Sequence, residues 1–198
     1  MILCLDVGNT HIFGGIMEGE EIKMRFRHAS TYNFTSDTIG LFLVNVIKEN
    51  GFDPKAITEI CISSVVPSLG YSITSACKKY FAISPVEVKQ GIKSGIKLDV
   101  KNPQEVGADR IANAVAATDA YPNKSIIIMD FGTATTFCAI SKNKAFMGGA
   151  ILPGIKLSMQ ALANNTSKLA AVDIVRCENA LGICRAKFFS FSIGQAFL

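Results

Sequence analysis

Short apolar runs separated by turn residues set the rhythm of the chain's first third. Ile2–Leu5 is continuously apolar and leads into Asp6-Val7-Gly8-Asn9-Thr10, which predicts a strand covered on both faces and then a tight glycine turn. His11–Met17 returns as a second strand, and Glu18-Gly19-Glu20 turns again. Ile22, Met24 and Phe26 then alternate with Lys23, Arg25 and Arg27, as on a third strand with one solvated face. The period lengthens at Ile39, Phe42, Leu43, Val46 and Ile47, the spacing of a helix that Ser36 can cap and Gly51 can stop. Ile57–Val66 reads as a strand ended by Pro67, followed by a helix over 68–81 and a strand near Val86–Lys89.

The pattern restarts past residue 120. An Ala-rich helix runs to about Ala120, where Tyr121-Pro122-Asn123 breaks it. Strands follow at 126–129, 136–140 and 145–151, with a hairpin at Ser141–Lys144, and Pro153-Gly154 opens a helix through Leu157, Ala161 and Leu162. The same element order twice predicts an α/β chain of two duplicated domains, 1–120 and 121–198. The second copy is short: the first takes about 115 residues and the second has about 75 before Leu198. The tail from Phe188 to Leu198 is apolar and ends without a polar exit. The element count therefore predicts a truncated second domain with a frame-shifted tail. Sequencing the locus for a continuing, shifted reading frame tests this.

The hydrophobic share of 49% against 18% charged residues is that of a globular chain and excludes general disorder. A net charge of +4 with scattered Lys and Arg predicts no nucleic-acid surface. The six cysteines (4, 61, 77, 138, 177, 184) form no CxxC, and Cys4, Cys61 and Cys138 sit in apolar runs as small core residues of a reduced protein. No basic leader precedes Asp6, and no apolar run reaches the ~20 residues that span a bilayer. A cytoplasmic chain with no membrane partner is expected.

Candidate chemistry enters with the two apolar runs that end in Asp-x-Gly. Ile126-Ile127-Ile128-Met129-Asp130-Phe131-Gly132-Thr133-Ala134-Thr135 repeats the design of the N-terminal run. Glycine allows close approach of a phosphate, and its neighbours can aim N–H groups at one point. One copy alone suits an ordinary hairpin turn; the matched pair favours a clamp on one polyphosphate, with Asp6 and Asp130 placed to accompany a cation. Gly107-Ala108-Asp109-Arg110 could supply a proton acceptor and an anion-binding fork, but the four residues alone fit a helix-capping Asp with a surface Arg better. His11 is either a phosphate contact or the first residue of the second strand, the latter being favoured. No Ser/His/Asp set or Cys/His pair stands out.

Taken together, these residues resemble the type III pantothenate kinases, bacterial enzymes that phosphorylate pantothenate in the first step of coenzyme A synthesis. The matching pieces are Asp6–Thr10, Asn102-Pro103 through Gly107–Arg110, Asp130–Thr136, and Gly148–Gly154 with Ser158, Ala161-Leu162, Thr166 and Leu169. The resemblance runs to about Gly182. It implies the acetate-and-sugar-kinase/actin superfamily: two ribonuclease-H-like halves with the active site between them. It assigns Asp6, Val7, Gly8, Asn9, Thr10, His11, Ile12 and Phe13 to ATP, together with Thr133, and places Asp6 near magnesium. Asp130 would bind a monovalent cation, potassium or ammonium. Val100, Gly107, Ala108, Asp109 and Arg110 would contact pantothenate, with Asp109 accepting the proton of its primary hydroxyl. A homodimer is implied, the second subunit helping to form the pantothenate pocket.

Two departures accompany the resemblance. Val100 stands where the family usually has an aromatic residue. After Gly182 the family continues through a substrate-binding Thr, whereas here Ile183-Cys184-Arg185-Ala186-Lys187 follows. Such a chain would leave a sheet edge and apolar surface bare. The rival readings are a non-catalytic regulatory relative that keeps the nucleotide fold, and another kinase of the superfamily, such as a sugar kinase.

Overall fold

The computed structural model describes residues 1–31 and 33–167; the tail from Phe188 on lies outside the described residues. The first half builds a five-stranded sheet of β1 (Ile2–Val7), β2 (His11–Glu18), β3 (Glu21–Ala29), β4 (Glu59–Ser64) and β5 (Val86–Val88), in the order β3-β2-β1-β4-β5. β1 is antiparallel to β2 and parallel to β4. Each predicted element of this half is present, with shifted ends. The predicted strand 57–66 shortens to β4 because Pro54–Ala56 forms a 3-10 turn, capped by Asp53 Oδ1 accepting from Lys55 N at 2.9 Å. At the other end, Pro67 is already the first residue of the next helix, where its missing N–H costs nothing.

Helices α1 (Ser36–Glu49) and α2 (Pro67–Phe81) cover one face of this sheet. Ile39, Leu43 and Ile47 of α1 and Leu69, Ile73 and Ala76 of α2 pack on Leu3, Leu5 and Val7 of β1 and Ile12 and Ile16 of β2. The cap of α1 is Thr35 rather than the predicted Ser36: its hydroxyl accepts from Thr38 N at 3.1 Å. Gly51, at φ 84°, follows the helix as expected. Gly40 lets the Tyr80 ring lie against α1, and Asp37 Oδ1 accepts from both Tyr80 (2.7 Å) and Lys79 (2.5 Å), tying the two helices together.

The expectation of a strand covered on both faces is corrected for β1. Leu3, Leu5 and Val7 are buried, whereas Ile2 and Cys4 are half-buried and Asp6 is exposed. The alternation is that of a strand whose second face lacks a full cover among the described residues.

The second half forms a four-stranded sheet in the order β6-β9-β8-β7: β6 (Lys97–Leu98), β7 (Ile126–Phe131), β8 (Ala134–Ile140) and β9 (Ala145–Pro153). The two-residue β6, paired in parallel with Ala145 and Phe146 of β9, was not predicted. Helix α3 (Ala108–Ala120) lies against this sheet, with Val106, Ile111 and Ala114 packed on Cys138, Ile140 and Phe146. Helix α4 (Ile155–Asn165) is the last described element. Among the described residues β7 is the last strand of its sheet, whereas its counterpart β1 lies between β2 and β4. Ile127, on β7, is 66% exposed.

The chain divides into two compact units, residues 1–128 with 138–148, and residues 129–137 with the stretch from Gly149 on.

Candidate active site

In the first unit, Gly8, Asn9 and Thr10 connect β1 to β2, and Gly8 N donates to His11 O at 3.0 Å. The end of β3 buttresses the turn: Ser30 Oγ donates to Gly8 O at 2.6 Å and Ser30 N to Thr10 O at 2.9 Å. Asp6 is the last residue but one of β1, in register with Phe13 of β2 and Ser63 of β4. Its side chain therefore points to the face opposite α1 and α2. Val7 and Ile12 are wholly buried, so at these two positions only the main chain can serve a ligand. His11 is the first residue of β2, and its ring meets the exposed Phe13 edge-on at 6.0 Å.

Two side chains beside this turn had no signal in the sequence. Arg27, expected on a solvated strand face, stacks its guanidinium over the Phe13 ring at 4.3 Å from the directly opposite position of β3. Ser63 is 7% exposed, and its Oγ finds no hydrogen-bond partner among the described residues. A buried hydroxyl in that state loses its hydration without return unless a ligand or water supplies a partner.

Gly107–Arg110 opens α3 in the same unit. Gly107 is the cap and Asp109 the second helical residue, which corrects the capping-Asp reading. Asp109 Oδ1 accepts from Arg110 N at 2.8 Å. Arg110 is not a surface residue either: its Nε donates to Cys138 Sγ at 3.1 Å, and its guanidinium lies 5.2 Å from the Phe146 ring centre. Val106 and Val100 both belong to the apolar cluster beneath, and Gln90 Nε2 donates to Val106 O. The first turn and this helix start meet at Val65. A Cβ on Gly107 would lie 3.5 Å from Val65 Cγ1, and Val65 N donates to Val7 O at 3.0 Å. Ala112 of α3 and Asp6 line one cavity.

Within the second unit, Gly132 and Thr133 connect β7 to β8, one residue fewer than in the first turn. Gly132 N donates to Ala134 O at 3.0 Å, and Gly154 N, at the cap of α4, donates to Thr133 O at 3.0 Å. Gly154 is buried so tightly that an added Cβ would strike the carbonyl groups of Gly132 and Thr133. Ser158 N closes the first turn of α4 on Gly154 O at 2.8 Å. Asp130 is half-buried near the end of β7, while Gly132 and Thr133 are exposed. Among the described residues no three His, Cys, Asp or Glu side chains gather as a metal site, so a cation here would rest on single carboxylates, main-chain oxygens and bound phosphate.

Four free cysteines are described. Cys77 and Cys138 are buried, whereas Cys4 and Cys61 are register partners on β1 and β4, both half-buried. Burial raises both of the latter thiol pKa values, and for Cys4 the neighbouring Cys61 adds to the effect. Cys177 and Cys184 lie outside the described residues.

A duplicated strand–turn–strand with helices on the sheets, and a glycine turn beside a carboxylate in each copy, defines the actin-like fold class. Solved structures agree on the fold. A Campylobacter jejuni protein described as a Baf family transcriptional activator superposes with a TM-score of 0.58 at 18% identity, covering 96% of this chain and 73% of that one. A Sinorhizobium meliloti protein described as a 2-dehydro-3-deoxygalactonokinase gives 0.51 at 14% identity, over 84% and 58% of the two chains. The sequence is more specific. The profile of the type III pantothenate kinase family matches residues 2–187. A type III pantothenate kinase of Legionella pneumophila is 57% identical over 182 residues, which are 92% of this chain and 71% of that protein. Type III pantothenate kinase 1 of Francisella tularensis is 54% identical over the same shares. The chain belongs to the type III pantothenate kinase family, as its motifs led us to expect.

Proposed function

We propose that this chain binds ATP and pantothenate and transfers the γ-phosphoryl group to the primary hydroxyl of pantothenate, giving ADP and 4′-phosphopantothenate. Asp6 to Phe13 and Thr133 hold ATP; Val100 and Gly107–Arg110 hold pantothenate. Asp109 accepts the hydroxyl proton as the oxygen attacks. The observation that carries this reading is the junction at Val65, which sets the Gly107–Arg110 helix start against the first phosphate turn within one unit. Phosphoryl transfer asks mainly for positioning and charge neutralisation, so two turns and one weak base suffice.

Asp6 would hold magnesium and Asp130 potassium or ammonium. The exposed Asp6 carboxylate and the unpartnered Ser63 hydroxyl suit a hydrated ion, because Mg²⁺ keeps several waters and needs only one or two carboxylates. When bound, the metal offsets the charge that develops on the phosphate oxygens. Arg110, braced by Cys138 and Phe146, is fixed as a planar fork for the carboxylate of pantothenate. The reading includes a cytoplasmic homodimer built on ribonuclease-H-like halves that divide near residue 120.

A coupled ADP-release assay with ATP, magnesium, potassium and pantothenate tests it, with the Legionella pneumophila relative as the active control. Asp109→Asn should lower turnover by about 10²-fold or more, the usual range for loss of a positioned base. Turnover unchanged by Asp109→Asn refutes the mechanism. A second reading, a regulatory protein that binds nucleotide without turning it over, draws support from β7 at its sheet edge with no counterpart of β4 beside it among the described residues. It predicts ATP binding with no ADP release.

A further inference from the structure

The face of the first sheet opposite α1 and α2 gathers three sulfur side chains around one cavity. Cys4 of β1 and Cys61 of β4 are register partners on parallel strands, so their side chains stand side by side. Met17 reaches them from β2: Cys4 Sγ donates to Met17 Sδ at 3.8 Å. All three residues are half-buried, and among the described residues they line a cavity of about 390 Å³. Gly15 makes the room. It pairs with Cys4 on one side and with Arg25 on the other, so a row across the sheet runs Arg25, Gly15, Cys4, Cys61 with no side chain in its second place. Arg25 and Ile22, both exposed, line the same cavity.

We infer that Cys4, Cys61 and Met17 form a binding site for a soft monovalent metal ion, Cu(I). Thiolate and thioether sulfurs are soft donors that suit this ion. The spacing suits it as well. With metal–sulfur bonds of about 2.3 Å, two ligands of one ion stand about 3.8–4.0 Å apart. Cys4 Sγ and Met17 Sδ lie 3.8 Å apart. The Met17 side chain turns about several bonds, so its sulfur can follow the ion. The same residues disfavour zinc, whose structural sites take four thiolate, imidazole or carboxylate ligands. Asp6 also lines the cavity, but no third His, Cys, Asp or Glu joins the two thiols as a metal-binding group among the described residues. Binding breaks the two S–H bonds, forms three Cu–S bonds and releases the two protons to solvent; no electron is transferred. The loaded site carries one net negative charge, which the Arg25 guanidinium in the same cavity offsets. The inference does not rest on catalysis by this chain.

The reduced chain is titrated anaerobically with Cu(I) in competition with a chromophoric Cu(I) chelator. We expect one Cu(I) held by this site. We expect its Kd to rise about tenfold or more in Met17→Leu and in Cys61→Ser, since even a lost outer partner of a metal ligand costs about 10–100-fold. Replacing Cys177 and Cys184 by Ser should leave the Kd unchanged. If a variant does not fold, the unaltered chain decides: one equivalent of Cu(I) should protect Cys4 and Cys61 from alkylation, read site by site by mass spectrometry, and one equivalent of Zn(II) should not. Copper affinity that survives both Met17→Leu and Cys61→Ser, or that vanishes with Cys177 and Cys184, overturns the inference. So do equal alkylation rates at Cys4 and Cys61 with and without Cu(I), or equal protection by zinc.

Discussion

Gly154→Ala places a methyl group where the second turn already stands. Backbone conformation is not at issue, because Gly154 has φ −66° and ψ 165°, angles open to any residue. The obstacle is steric and rigid. The new Cβ would lie 2.8 Å from the carbonyl carbon of Thr133, and closer still to the oxygens of Thr133 and Gly132. Ordinary contact begins at 3.4 Å, so at that carbon the turn must retreat by 0.6 Å, from 2.8 to 3.4 Å. These neighbours are main-chain atoms and cannot rotate aside. The retreat also stretches the 3.0 Å bond from Gly154 N to Thr133 O. Overpacking of this kind costs about 1–3 kcal/mol. If Thr133 holds ATP, a displacement approaching ~1 Å would weaken turnover by about 10²-fold. Urea denaturation gives the stability cost, and amide chemical shifts of Gly132 and Thr133 show whether the turn moves. Unchanged shifts at both residues together with unchanged stability would refute the steric argument, whatever the activity.

Gly70→Ala is the contrasting case: Gly70 sits inside α2 with nothing within 4 Å of an added Cβ, so the substitution should stabilise by about 0.5–1 kcal/mol in urea denaturation. A loss of stability there would count against the packing of α2. Asp37 is held below its usual carboxylate pKa, first by the hydrogen bond from Lys79 and then by that from Tyr80. Since the folded value lies below the unfolded one, the stabilisation is fully present above the unfolded pKa and is lost as pH falls through the folded value. The stability gap between wild type and Asp37→Asn should therefore be present at neutral pH and close in acid; a gap that stays constant as both chains are titrated below the carboxylate range would sink this reasoning.

The element order was legible because the apolar period changes cleanly from two to nearly four at Ile39–Ile47 and back at Ile57–Val66. The family was legible because four motifs occur in one order, each too weak alone. Other features depend on register or on partners distant in sequence. Arg27 reaches Phe13 only because the Gly19-Glu20 turn and the register irregularity at Ile16 and Met17 set the two opposite each other across β2 and β3. Ser63 looks like any strand serine until β4 is paired with Asp6. Arg110 looked like a surface residue because nothing near it in sequence foretells Cys138 and Phe146. β6, with two residues, is too short to carry a period. The expected cover on both faces of β1 was not found among the described residues, because a continuous apolar run does not by itself show what packs on each face.

The one-residue difference between the two turns fixes which face each residue of the following strand takes. Side chains in a strand alternate faces, so a shift of one residue exchanges the faces completely. Grafting the shorter Gly132-Thr133 turn in place of Gly8–Thr10 would slip β2 against β1, turning Ile12, Gly14 and Ile16 out of the core and Phe13, Gly15 and Met17 into it. The two hairpins, though homologous in design, are no longer exchangeable parts. Recombination between the halves of such a gene would yield chains that misplace β2.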